Sequence, residues 1–159
     1  MNAADIRGRA VISIPTGGRL GRVDEVLFDH DSLRLAAFRV TAEGQHALIP
    51  FSQVESLGSG AVMVPGEDVA QWITTAAIAA EGLVSFDALK HYKVVDAAGT
   101  FLGTPKAVEL EPADGRLQAL EIHKGGVLGL GGETTTVSGG DIASVGADVI
   151  VVRIAAPSA

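Results

Sequence analysis

Residues 17–40, GGRLGRVDEVLFDHDSLRLAAFRV, decide the fold, because residues 99–122, GTFLGTPKAVELEPADGRLQALEI, repeat them without a gap. Gly17 matches Gly99, Leu20 Leu102, Gly21 Gly103, Arg34 Arg116, Leu35 Leu117 and Ala37 Ala119. Apolar character is kept at Val26/Val108, Phe28/Leu110, Phe38/Leu120 and Val40/Ile122. Downstream, residues 48–64 lie on 136–152 at a larger offset, pairing Ile49/Val137, Val54/Ile142, Ser56/Ser144, Gly58/Gly146, Val62/Ile150 and Val64/Val152. The added length falls in the second copy's loop KGGVLGLGGE, residues 124–133. Upstream, Ile6/Leu89 and Val11/Val94 continue the match, with one residue lost before Gly99. Collinear blocks whose length changes fall in loops are the mark of an internal duplication.

Within each copy the local signals are β. Residues 10–14 form a short apolar run ended by Pro15 and a Thr-Gly-Gly turn. Val23, Val26 and Phe28 are strand formers whose alternation lapses, which places a bulge near Asp24–Glu25. Residues 30–34 and 112–116 read as hairpin turns, with Asp114-Gly115 the stronger signal because glycine accepts a positive φ. Residues 35–40, 46–50 and 61–64 complete five short strands, and 51–57 reads as a helical turn. Between the copies, 67–81 (EDVAQWITTAAIAAE) places Val69, Ile73, Ala76, Ala77 and Ala80 on one helical face. Acidic residues begin that segment and Gly82 follows it, so an amphipathic helix packing through Trp72 or Ile73 is expected.

The expected fold is therefore mainly β. Two tandem small barrels, 1–66 and 83–159, flank a connecting helix at 67–82. Barrel closure would remove exposed strand edges in such small units.

Composition narrows the function. Hydrophobic residues are 47% and charged residues 19%, which excludes a disordered chain. There is no cysteine, so disulfides, thiol catalysis and cysteine-ligated metals are out. The net charge of −7 is opposite in sign to that of an electrostatic nucleic-acid binder. Residues 1–66 carry six Arg and seven acids, whereas 67–159 carry six basic and twelve acidic residues, so the copies present different surfaces. The first ten residues hold Asp5, Arg7 and Arg9 where a leader would be apolar, and no stretch has the length of a membrane span. A cytoplasmic protein without membrane insertion is expected.

Each copy resembles a PRC-barrel domain. The matching elements are 6–13 (IRGRAVIS), 17–29 (GGRLGRVDEVLFD), 32–40, 48–58 and 61–64, and in the second copy 89–96, 99–110, 115–122 and 141–152. The second copy departs from the pattern at Pro105-Lys106 and at 138–140, where Ser-Gly-Gly replaces Pro-Phe-Ser. That β-barrel is shared by the cytoplasmic part of the photosynthetic reaction-centre H subunit, by a ribosome maturation factor and by many bacterial and archaeal proteins. The resemblance implies a docking or adaptor module with no catalytic residue set to carry over.

The residues themselves offer few chemical constellations. Asp29-His30-Asp31 is the densest polar cluster and has the donor types of a metal site, but it sits at an expected hairpin turn. His30, His46, His91 and His123 show no metal-ligand spacing, although His46 and His123 fall near corresponding strand–loop junctions. The loop 125–132 (GGVLGLGG) has the glycines of a phosphate loop without its Gly-Lys-Ser/Thr. No nucleophile elbow is present. The candidate contact surfaces are Val127, Leu128 and Leu130 on that loop, Trp72 on the expected helix, and an arginine rim of Arg7, Arg9, Arg19 and Arg22.

A non-catalytic interaction or assembly module is the expected function, with a protein partner or self-association and no cofactor. The alternative is a small-ligand or metal-binding regulatory protein using a cavity between the barrels near His46 and His123.

Overall fold

The computed structural model describes residues 1–72, 82–127 and 130–153. The first half opens with a one-turn helix, α1 (Ala3–Ile6). It continues through β1 (Ala10–Ser13), β2 (Arg19–Asp29), β3 (Leu35–Ala42), β4 (Gln45–Pro50), β5 (Ser56–Leu57) and β6 (Ala61–Val64). Two short strands follow, β7 (Gln71–Trp72) and β8 (Leu83–Ser85). The second half repeats the plan with α2 (Phe86–Leu89), β9 (Lys93–Asp96), β10 (Phe101–Leu110), β11 (Leu117–Val127), β12 (Leu130–Ser138), β13 (Ile142–Val145) and β14 (Val149–Val152).

Both sheets share one topology. The first runs β5-β6-β1-β2-β3-β4-β7, with β8 added to β2. The second runs β12-β11-β10-β9-β14-β13. The parallel ladders keep the repeat register: Ala10 faces Ala61 in one half and Lys93 faces Val149 in the other. Of the helical turn expected over 51–57, only Phe51–Gln53 form a 3-10 turn, repeated at Gly139–Asp141; Val54 is extended and Ser56–Leu57 form β5.

The long strands β2 and β10 each carry a bulge. The β2·β3 register shifts between Val23 and Glu25, which puts a bulge at Asp24 as the lapse in alternation indicated. The β10·β11 register shifts between Pro105 and Ala107, at the equivalent residue Lys106. Pro105 has no N–H, and a bulge is where a strand tolerates that loss. A second shift recurs at Leu27/Phe28 and Glu109/Leu110. One glycine per half serves the tight crossing ahead of the bulge. A Cβ on Gly21 would lie 2.5 Å from the carbonyl oxygen of Thr41, and one on Gly103 would collide with the carbonyl of His123. The repeated Leu-Gly pair is therefore a close-approach signal.

Two expectations are corrected. The segment from residue 67 does not begin as a helix. Glu67–Val69 form one 3-10 turn, Ala70 is extended, and Gln71–Trp72 pair antiparallel with Leu48 and Ala47. The free edge of β4 offers backbone partners there, and those outweigh helical periodicity. The rest of the expected helix, 73–81, lies outside the described residues. The second correction concerns closure. Each half is an open sheet whose terminal strands do not pair with each other among the described residues.

The halves share a core. One cluster of buried side chains runs from Ile6, Val26, Phe28 and Phe38 to Leu110, Leu120, Ile122 and Ile150. The segments preceding the two repeats cross reciprocally. Asn2 bridges to Glu109 on β10, and Ser85 on β8 faces Leu27 on β2. Asn2 and Ser85 are equivalent in the repeat, as are Glu109 and Leu27, so each half lends an arm to the other. Both arms enter a helix with a side-chain cap, Asn2 accepting from the Ala4 N–H and Ser85 from the Ala88 N–H. Further ties join the hairpin turns. The Leu35 N–H donates to the Gly115 carbonyl at 2.9 Å, and Arg34 Nη2 donates to the Asp114 carbonyl at 3.1 Å.

Candidate interaction surfaces

Three of the four arginines have partners within the chain. Arg9 Nη1 donates to the Gly58 carbonyl at 2.8 Å, and Arg22 Nη1 to the Gly8 carbonyl at 2.9 Å. Both hold the entry of β1 in place. Arg7 lies 3.8 Å from the Glu25 carboxylate and 3.9 Å from that of Asp87 on α2. Glu25 is only 3% exposed, so Arg7 is the compensating charge for a carboxylate near the junction of the halves. Arg19 is exposed at the start of β2. The sequence marked Asp24–Glu25 only as a bulge, because adjacent acids in a strand read as solvated.

Trp72 is 49% exposed on β7, on a strand and not on the expected helix face. Val127 and Leu130 face each other at the end of the β11·β12 ladder. Leu128 lies outside the described residues. The long loop of the second copy is thus largely an extended hairpin, with Gly125 opposite Gly132 and Lys124 opposite Glu133.

Asp29-His30-Asp31 is a turn device. Asp29 Oδ1 accepts from the backbone N–H of Asp31 at 3.0 Å, and from the N–H and hydroxyl of Ser32 at 2.9 and 3.0 Å. The Ser32 N–H, against a smaller opposing effect of burial, holds the Asp29 carboxyl below its ordinary value. His30 stacks edge-on against Tyr92 of the second half, with ring centroids 6.4 Å apart. Burial, reinforced by the Asp148 charge, raises the Tyr92 hydroxyl above its ordinary value. Among the described residues no group of three His, Cys, Asp or Glu side chains is placed to hold a metal ion.

His46 and His123 occupy mirrored places. His46 on β4 faces Thr41, and His123 on β11 faces Thr134. Each copy therefore carries one His–Thr cross-strand pair with the two residues exchanged between strands. His46 Nδ1 lies 3.8 Å from Asp24, whose carboxylate receives the Arg39 Nε–H at 2.7 Å. A groove of about 400 Å³ joins the halves and is lined by Phe51, Val54, Glu55, Leu57, Pro112 and Ala113 among others. Neither histidine lines this groove.

The outer faces of the sheets differ in chemistry. Leu27, Ala37 and Leu48 form a small second buried cluster with Leu83 on the first sheet. Their repeat equivalents are Glu109, Ala119 and Thr136. Glu109 and Thr136 are polar, and Thr136 is exposed. A frame kept in register while equivalent positions diverge in this way defines a duplicated β-domain protein.

A family model of the PRC-barrel domain matches residues 1–69 and 81–156. The chain belongs to the PRC-barrel domain family, in tandem. No curated protein matches the chain. No helix among the described residues is long and apolar enough to cross a membrane.

Proposed function

We propose that this tandem PRC-barrel protein is a non-catalytic interaction or assembly module of the cytoplasm. The observation that supports it is the reciprocal arm exchange. It locks two copies of one frame into one body, in which equivalent positions such as buried Leu48 and exposed Thr136 differ in chemistry. Such a body holds partners at a fixed separation and orientation, which is the task of an adaptor. The conspicuous polar groups serve the frame: Arg7 compensates Glu25, Asp29 closes a turn, and Arg9 and Arg22 tie down loops. The inter-half groove favours a second reading, a regulatory protein taking a small ligand at Phe51 and Pro112.

The test is affinity capture of the tagged protein from its native lysate at low and moderate salt, paired with a Leu128→Asp, Leu130→Ser variant. An adaptor retains a stoichiometric protein at moderate salt, and the variant loses it while folding normally. Retention of nothing, together with a thermal shift on adding a metabolite, favours the ligand reading.

A further inference from the structure

The two halves treat one edge differently. In the first half the outer edge of β4 is covered by β7, with Ala47 against Trp72 and Leu48 against Gln71. The equivalents of Ala47 and Leu48 are Thr135 and Thr136 on β12. Strand β12 ends its sheet, and no strand among the described residues pairs with its outer side. Gly132, Glu133, Thr134 and Thr136 are exposed. The edge lacks the usual guards: residues 132–138 hold no proline and no lysine, and Glu133 is the one charge.

We propose that the β12 edge, residues 132–138, pairs antiparallel with the same edge of a second copy of this chain. Three observations select that occupant. The covering strand in the first half runs antiparallel, and a two-fold axis produces that arrangement between two copies of one strand. β12 is threonine-rich and extended, so it supplies the β-branched partner such an edge accepts. The local charges balance: Lys106 lies 3.6 Å from Glu121, and Lys124 faces Glu133. Two copies thus meet here without the repulsion expected from the acidic second half. A two-fold axis near Thr135 sets Thr134 opposite Thr136 of the other copy and keeps the two Glu133 carboxylates out of register.

This deepens the interaction-module reading by naming a surface and an occupant. The test is sedimentation velocity from low to high micromolar concentration. The wild type is expected to reach twice its 16.2 kDa mass. A Thr134→Lys, Thr136→Lys variant and a Thr134→Glu, Thr136→Glu variant are each expected to stay monomeric, because like charges face each other across the axis. An equimolar mixture of the two is expected to regain the doubled mass. Both threonines are exposed, and circular dichroism checks that each variant folds. A monomeric wild type, a charged variant that associates like the wild type, or a mixture that stays monomeric overturns the proposal. If the monomeric wild type still captures a lysate protein, the adaptor reading stands and this occupant is wrong.

Discussion

Leu33 sits in a conformation leucine disfavours. Its φ is 58°, while the equivalent residue of the second copy, Gly115, has φ 75°. The left-handed region costs an L-residue roughly 1–2 kcal/mol. Leu33 tolerates it because its side chain is 1% exposed in the shared core, and full burial of a leucine contributes roughly 1.5–3 kcal/mol. Leu33→Ala loses the burial and keeps the strain, whereas Leu33→Gly loses the burial and releases it. In urea unfolding the expected order of stability is wild type, then glycine, then alanine. Alanine above glycine would mean that residue 33 is not left-handed. Asp29 at the start of the same turn gives a pH signature. Its carboxyl titrates lower folded than unfolded, so its contribution is complete above the unfolded value of about 4 and fades as pH falls through the lowered value. The melting-temperature gap between wild type and Asp29→Asn should be widest near neutrality and close in acid. A gap that persists unchanged in acid contradicts the turn role. The second turn was readable from Asp114-Gly115. The first was less so, because leucine carries no left-handed signal.

At the scale of elements, the lapse in alternation over residues 23–28 announced the bulge that the β2·β3 register shows at Asp24. The repeat transferred it to Lys106. Gly21→Ala and Gly103→Ala test the close approach that accompanies it. Each adds a Cβ against a neighbouring carbonyl, and overpacking of that kind costs about 1–3 kcal/mol. A shift of the denaturation midpoint near zero for both would mean the crossing is looser than described. The strand at Gln71–Trp72 was not legible. Residues 67–81 carry a helical period, and only the free edge of β4, which exists once the sheet is assembled, draws two of them into a ladder. The same limit hid the open β12 edge, since an edge belongs to the assembled sheet and not to the strand.

At the scale of the whole molecule, the duplication was legible and the exchange was not. The repeat offsets identify Ile6 with Leu89, yet nothing local says that these arms cross. Both residues are fully or almost fully buried in the common cluster. α1 packs against β10 of the second half as well as β2 of its own, and α2 packs against β2 of the first. Truncating either arm therefore acts on both halves. Ile6→Ala and Leu89→Ala should each cost about 2–5 kcal/mol. The uneven charge finds a partial explanation at this scale, because the outer apolar position Leu27 is Glu109 in the second sheet.

The measurement that tests the single-body claim most directly is differential scanning calorimetry of the wild type beside Ile6→Ala and Leu89→Ala. One transition is expected, with calorimetric and van't Hoff enthalpies equal, and either truncation should lower that one melting temperature without splitting it. Two separable transitions in the wild type, or a truncation that lowers only one of them, would show two independent domains and contradict the shared core.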